Sequence, residues 1–149
     1  MSSECKYSFL ELKHKLEALC AYQERCSFEL NRKMITWKVD EENRNILLAH
    51  LIEHNFLSEE RFAEAFVSGK VNIKRWGRNK IKRELKARQI SDYSIKKGLA
   101  SIEEEVYWNN LVALARKKLR NLEKESDPYK KRMKTYSFLS SNVFVRLSC

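Results

Sequence analysis

The sequence predicts an all-α protein, and three observations carry that reading. Only three glycines and one proline punctuate 149 residues, fewer breakers than strand-and-turn architectures use. Apolar residues recur at three- and four-residue steps along most of the chain, which is the helical period. A hydrophobic fraction of 43% beside 34% charged residues suits amphipathic helices around a core rather than a disordered chain.

The elements follow in order. Phe9, Leu12, Leu16 and Leu19 give a first helix one apolar face, and Cys20 and Cys26 flank its end as small apolar residues. Ser27 is the expected N-cap of a second helix carrying Leu30, Met34 and Trp37 at i, i+4, i+7. Asp40 caps a third, with Glu41 and Glu42 near the positive end of its dipole and Ile46, Leu47, Leu51 and Ile52 as its buried side. Ser58 starts a fourth in the same manner, with Glu59 and Glu60 in the first turn. Phe62, Ala65 and Phe66 are its expected stripe and Gly69 its left-handed C-cap. After Trp76-Gly77, Ile81 and Leu85 mark one face of a fifth helix ending near Arg88. Ser91 caps a sixth, with Ile95, Leu99 and Ile102 inward. Leu111, Leu114, Leu119 and Leu122 define a seventh. Asp127-Pro128 supplies the N-cap and first position of an eighth, with Met133, Tyr136 and Leu139 at steps of three.

These starts and faces repeat. Leu30, Met34 and Asp40 stand 51 positions before Ile81, Leu85 and Ser91, with the same apolar, apolar and cap roles. The Pro128 helix falls about fifty positions after Gly77. Such a period implies an elongated array of three-helix units, each too small to bury its own face. The expected division is 1–54, 55–103 and 104–149, with the last unit shortened.

Charge is distributed unevenly over this plan. Residues 1–57 hold eight Lys/Arg against nine Asp/Glu, whereas residues 58–149 hold twenty-two against eleven. That asymmetry favours a polyanionic partner for the C-terminal part. The densest array is Lys70, Lys74, Arg75, Arg78, Lys80, Lys82, Arg83, Lys86 and Arg88, opposed within the segment only by Glu84. Arg78, Lys82 and Lys86 fall at i, i+4, i+8 and share a helix face, with Ile81 and Leu85 pointing elsewhere. A like-charge ladder is mildly destabilising by itself, so an external counter-charge such as a phosphate backbone explains it. A second cluster comprises Arg116, Lys117, Lys118, Arg120, Lys130, Lys131, Arg132 and Lys134, interrupted by Glu123, Glu125 and Asp127. Trp76 can stack on a base, but beside a glycine turn its expected role is to fill a gap between helices.

Catalytic patterns are few. His50-Leu51-Ile52-Glu53-His54 fits H-x-x-E-H, in which two histidines one turn apart hold zinc and the glutamate acts as base. The pattern needs a third ligand; His14 is the only other histidine, and nothing singles out Glu103, Glu104 or Glu105. The expectation is a polar, solvent-facing helix end with no metal or other cofactor. Neither GxxxxGK[ST] nor GxGxxG occurs, which excludes the familiar phosphate-cradling loops, and the chain does not read as an enzyme. The first residues lack an apolar leader core and no run reaches membrane-spanning length. Cys5, Cys20, Cys26 and Cys149 form no CxxC pair, so reduced thiols in the cytoplasm are expected.

FLSEERFAEAFV followed by RWGRNKIKRELKARQIS resembles the central signature of the bacterial RecX regulatory proteins. The elements are Phe56-Leu57, the acidic turn Ser58-Glu59-Glu60, Arg61-Phe62-Ala63, the Trp76-Gly77 turn, Ile81 with Leu85, and the Ser91 cap. The resemblance is strong over 46–102, weaker before that and faint at ALARKKLRNL. Ser58 stands where the family usually has aspartate, and serine caps equally well. The terminal FLSSNVFVRLSC lacks the glycine turn of the family's last unit and is too short for a full final helix.

The resemblance implies three tandem three-helix repeats and a non-enzymatic role in DNA repair and the SOS response. That role is modulation, chiefly inhibition, of the RecA recombinase. Relatives bind the groove of the RecA filament on single-stranded DNA and damp its ATP hydrolysis, strand exchange and co-protease activity. On that basis Lys70, Lys74, Arg75, Arg78, Lys82, Arg83, Lys86 and Arg88 are expected electrostatic contacts to filament and DNA, single-stranded first and duplex second. Arg116, Lys117, Lys118, Lys130, Lys131 and Arg132 form a second contact set. Phe62, Trp76, Gly77, Ile81 and Leu85 hold the central unit together, and a monomer is expected. The competing readings are a helix-turn-helix-like module for duplex DNA and an adaptor for acidic proteins.

Overall fold

In a computed structural model that describes residues 4–141, the chain is helical throughout and forms no strand among the described residues. The helices are α1 Phe9–Tyr22, α2 Ser27–Thr36, α3 Glu41–Glu53, α4 Glu59–Asn72, α5 Arg78–Ala87, α6 Asp92–Ala100, α7 Glu104–Asn121 and α8 Pro128–Ser141. The all-α expectation holds, and the eight helices lie where the apolar period placed them.

Local capping explains most starts. Ser8 and Glu11 form a reciprocal capping box at α1. The side chains of Asp40, Ser58 and Ser91 accept from the backbone N–H of Asn43, Arg61 and Ser94, satisfying donors the helix leaves orphaned. Asp127 Oδ1 accepts from Tyr129 N at 2.9 Å. The expected Ser27 cap is displaced by one residue. Cys26 is the N-cap, in an extended conformation, because its side chain is drawn into the core at 2% exposure. That burial pushes its thiol up to about 11, and no disulfide involves Cys5, Cys20 or Cys26.

Three helices end in the same Schellman geometry. After α2, Val39 N donates to Met34 O and Lys38 N to Ile35 O; after α3, Phe56 N donates to Leu51 O and Asn55 N to Ile52 O; after α5, Ile90 N donates to Leu85 O and Gln89 N to Lys86 O. Each places a non-glycine residue at positive φ: Lys38 at 62°, Asn55 at 62° and Gln89 at 58°. The α2 and α5 endings stand 51 positions apart, so the sequence repeat is also a repeat of backbone geometry.

Gly69 does not cap α4. The helix runs on to Asn72 because Val71 extends the buried stripe for another turn. The left-handed conformation passes to Arg75, with φ 56°. Two apolar faces are also narrower than expected. On α3 only Leu47 and Leu51 are fully buried, whereas Ile46 and Ile52 are 48% and 53% exposed, because α1 and α2 cover a single stripe. On α4 the buried alanine is Ala63, not Ala65, which is exposed. Ala63 faces Gly98 of α6 so closely that a Cβ there would lie 3.3 Å from its carbonyl oxygen.

Leu12, Leu16, Leu30, Met34, Leu47 and Leu51 join α1, α2 and α3 into one core. Phe62, Ala63, Val67, Val71, Ile81, Leu85 and Ile95 join α4, α5 and α6 into a second, to which Cys26 is added from the chain's first half. Each fully buried leucine contributes about 1.5–3 kcal/mol. A smaller cluster of Tyr107 and Leu111 ties α7 to Ile102, Leu114 and Leu139. Glu59 of α4 stitches the second core from outside. It accepts from Ser91 N at 2.9 Å, Ser91 Oγ at 2.8 Å and Ser94 Oγ at 2.8 Å.

Candidate nucleic-acid interface

The basic segment is built around Trp76. Its indole packs against the second core and meets Phe66 edge-on, with ring centres 6.4 Å apart. Two ammonium groups lie by it, Lys70 Nζ at 4.5 Å and Lys80 Nζ at 4.3 Å from the ring centre. Trp76 therefore fills the gap between α4 and α5, and Lys70 leans on that aromatic pair. Gly77, the buried N-cap of α5, places Arg78 N within 3.0 Å of the Tyr107 hydroxyl, to which it donates.

The expected Arg78, Lys82, Lys86 ladder divides. The Arg78 guanidinium lies 4.2 Å from the centre of the Tyr107 ring and pairs with Glu104, so it ties α5 to α7. Arg88, at the C-terminal end of α5, donates from Nε to Glu29 of α2 at 2.9 Å and from Nη1 to Glu84 at 3.2 Å. Its guanidinium also lies over Phe66, 4.9 Å from the ring centre. Burial works against the charged guanidinium, yet the bonds to Glu29 and Glu84 raise its pKa overall. Lys82 and Lys86 are exposed.

Lys74, Arg75, Lys82, Arg83 and Lys86 thus remain. They run from the α4–α5 connection along the outer face of α5, all exposed, with no side-chain partner among the described residues. Ile73, 77% exposed, stands beside them. Five uncompensated cations on one outward surface can neutralise phosphates, and no acid or base there is poised to do chemistry.

In the second cluster Arg116, Lys117, Lys130 and Arg132 are exposed, while Lys118 and Lys131 are half-buried. Lys118 Nζ lies 5.1 Å from the Phe138 ring centre, and Lys134 is held by Glu125 at 2.7 Å. The cluster is spread over two helices rather than concentrated on one face.

The H-x-x-E-H residues do not gather three ligands. The His50 and His54 ring centres are 4.4 Å apart, and His50 Nε2 is 3.6 Å from Glu17 of α1. Among the described residues no group of three or more His, Cys, Asp or Glu side chains is placed to hold a metal ion. No helix there is long and apolar enough to cross a membrane. Sequence reasoning missed the contacts of Arg78 with Glu104 and Tyr107 and of Arg88 with Glu29. It also missed Asn110, whose Nδ2 donates to Val71 O at 2.8 Å. No local pattern signals such long-range pairings.

Comparison with known proteins places this arrangement. The family model of the second three-helix domain of RecX matches residues 58–99, and that of the third three-helix domain matches 104–141. A regulatory protein RecX of Clostridium botulinum (strain Alaska E43) is 40% identical over 106 residues, 70% of this chain and 49% of that protein. A regulatory protein RecX of Clostridium perfringens (strain 13) is 33% identical over 117 residues, 78% of this chain and 54% of that protein. The chain thus spans about half the length of the curated relatives it matches. Among solved structures, RecX from Lactobacillus salivarius superposes with a TM-score of 0.79 at 21% identity, covering 93% of this chain and 89% of that one. Another crystal structure of a regulatory protein RecX gives 0.80 at 19%, covering 92% and 69%. The three-helix units, the repeated helix endings and these likenesses agree: the chain belongs to the RecX family of regulatory proteins.

Proposed function

We propose that this chain binds the RecA filament on single-stranded DNA and restrains its ATP hydrolysis, strand exchange and co-protease activity without catalysing a reaction itself. The carrying observation is the uncompensated surface of Lys74, Arg75, Lys82, Arg83 and Lys86 on a member of a regulatory family. These five are the principal contacts. Lys70, Arg78 and Arg88 belong to the same basic segment, but they act chiefly by fixing α5 against α4, α7 and α2. The units 1–54, 55–103 and 104–149 form an array that lies along a groove lined by acidic protein surface and phosphate. Contacts shared among several protomers then give avidity without a deep pocket.

The steady-state ATPase of a cognate RecA on single-stranded DNA, titrated with this protein, tests the reading. Inhibition well below one molecule per recombinase protomer is the expected result. Unchanged ATPase alongside strong binding to one duplex sequence would replace it with a duplex-binding module.

A further inference from the structure

The two large cores meet at a cleft between α2 and α5. It encloses about 420 Å³ and is lined by Phe28, Glu29, Arg32, Ala87 and Arg88. Sites that hold a small ring system run from about 300 to 1,000 Å³. Phe28 is half-buried and packed on the second core, so its ring is a fixed platform rather than a loose side chain. Arg32 is exposed one turn further along α2, with its guanidinium 5.6 Å from the centre of that ring and no carboxylate partner among the described residues. Glu29 is already engaged, since Arg88 Nε donates to it at 2.9 Å, and it does not stand open to repel an anion.

Two relationships name the ligand. Ala87 follows Arg83 by one turn of α5, and Lys86 adjoins it, so the cleft opens at the end of the uncompensated cationic surface. Arg32 also stands 51 positions before Arg83, the interval that relates Leu30 to Ile81. The α1–α3 and α4–α6 groups therefore carry an arginine at the same helical position. An aromatic platform on a repeating track of cations fits single-stranded nucleic acid, whose bases stack on rings while its phosphates follow the charges. We infer that the α2–α5 cleft takes one base of a single strand, stacked on Phe28, with Arg32 on the adjoining phosphate. This rests on the reading of α5 given above and carries the strand's path from α5 onto α2.

Fluorescence anisotropy on the full chain, without recombinase, tests it with two labelled strands of about 20 nucleotides, oligothymidine and its abasic counterpart. Wild type should bind the thymidine strand about fivefold or more tightly than the abasic one. Phe28→Leu, which keeps an apolar side chain on the core, should erase that preference and leave the abasic affinity unchanged. Arg32→Gln, at an exposed position, should weaken both strands and flatten the slope of log affinity against log salt by about 0.7. Helical circular dichroism should match wild type in both variants, and Arg32→Gln decides alone if Phe28→Leu loses helix content. A base preference that survives Phe28→Leu, or wild-type affinities in Arg32→Gln, would overturn the inference. If Lys82→Glu with Lys86→Glu then still abolishes binding, the reading of α5 stands without the cleft. Failure of wild type to bind either strand would overturn both. Binding of a glutamate–tyrosine copolymer that Phe28→Leu abolishes, with strand binding intact, would assign the cleft to an acidic protein and overturn the inference as well.

Discussion

Arg88 Nε lies 2.9 Å from Glu29 Oε1 across 59 residues of sequence, clamping the end of α5 to the first turn of α2. Because Arg88 also bonds Glu84 and covers Phe66, losing it leaves two carboxylates without their partner. Arg88→Ala should therefore cost about 1–3 kcal/mol. A double-mutant cycle with Glu29→Ala, read by urea denaturation, should show coupling above about 0.5 kcal/mol. Additive single changes would mean that the clamp contributes nothing beyond its separate parts.

The outward cations should behave differently from the clamping ones. Lys82→Glu with Lys86→Glu should leave the melting temperature near wild type and, on the function proposed above, abolish inhibition of RecA ATPase at physiological salt. The slope of log affinity against log salt on single-stranded DNA should flatten by about 0.7 for each phosphate contact removed. Arg78→Glu should lower stability as well, through its lost contacts with Glu104 and Tyr107. Full binding by the Lys82/Lys86 variant would remove α5 from the interface.

Gly98 marks the tightest approach of α4 and α6. Its missing Cβ would sit 3.3 Å from both Ala63 O and Val67 Cγ2. Alanine in a helix interior normally gains about 1 kcal/mol over glycine, and here that gain should be offset by the shift the backbone carbonyl must make. Gly98→Leu should cost about 1–3 kcal/mol or more as the helices are forced apart. Thermal denaturation of the two variants against wild type separates these outcomes.

Glu59 gives the fold an acid limb. Its partial burial disfavours the carboxylate, but the hydrogen bonds from Ser91 and Ser94 outweigh that and hold its pKa below the ordinary 4.5. A carboxyl depressed in the folded state contributes fully above its unfolded value, and the contribution is lost as pH falls through the folded one. The stability gap between wild type and Glu59→Gln should hence stay constant from neutral pH to about 5 and close on further acidification. A gap that persists unchanged below about pH 3 would show that the charge on Glu59 is not what matters.

How much of this was legible depended on range. The caps at Asp40, Ser58, Ser91 and Asp127 were readable because each side chain serves an N–H two or three residues away. Ile81 and Leu85 were readable because apolar spacing fixes a helix face. The extra turn of α4 past Gly69 was not, since it depends on what covers Val71. Nor was the exposure of Ile46 and Ile52, which depends on how much of α3 its neighbours cover. The separation of Arg78 and Arg88 from Lys82 and Lys86 rests on partners 26 and 59 residues distant. Charge spacing along one helix carries no trace of them.

The three cores are unequal. Among the described residues the first two hold nine buried residues each and the third Tyr107 and Leu111. Since local opening free energies follow buried apolar contact, amide protons in α7 and α8 should exchange with solvent long before those of Leu47 or Ile81. Heating should melt the chain in stages from that end rather than in one step. A protease added under native conditions would then cut first between Leu122 and Pro128, leaving the two larger cores intact.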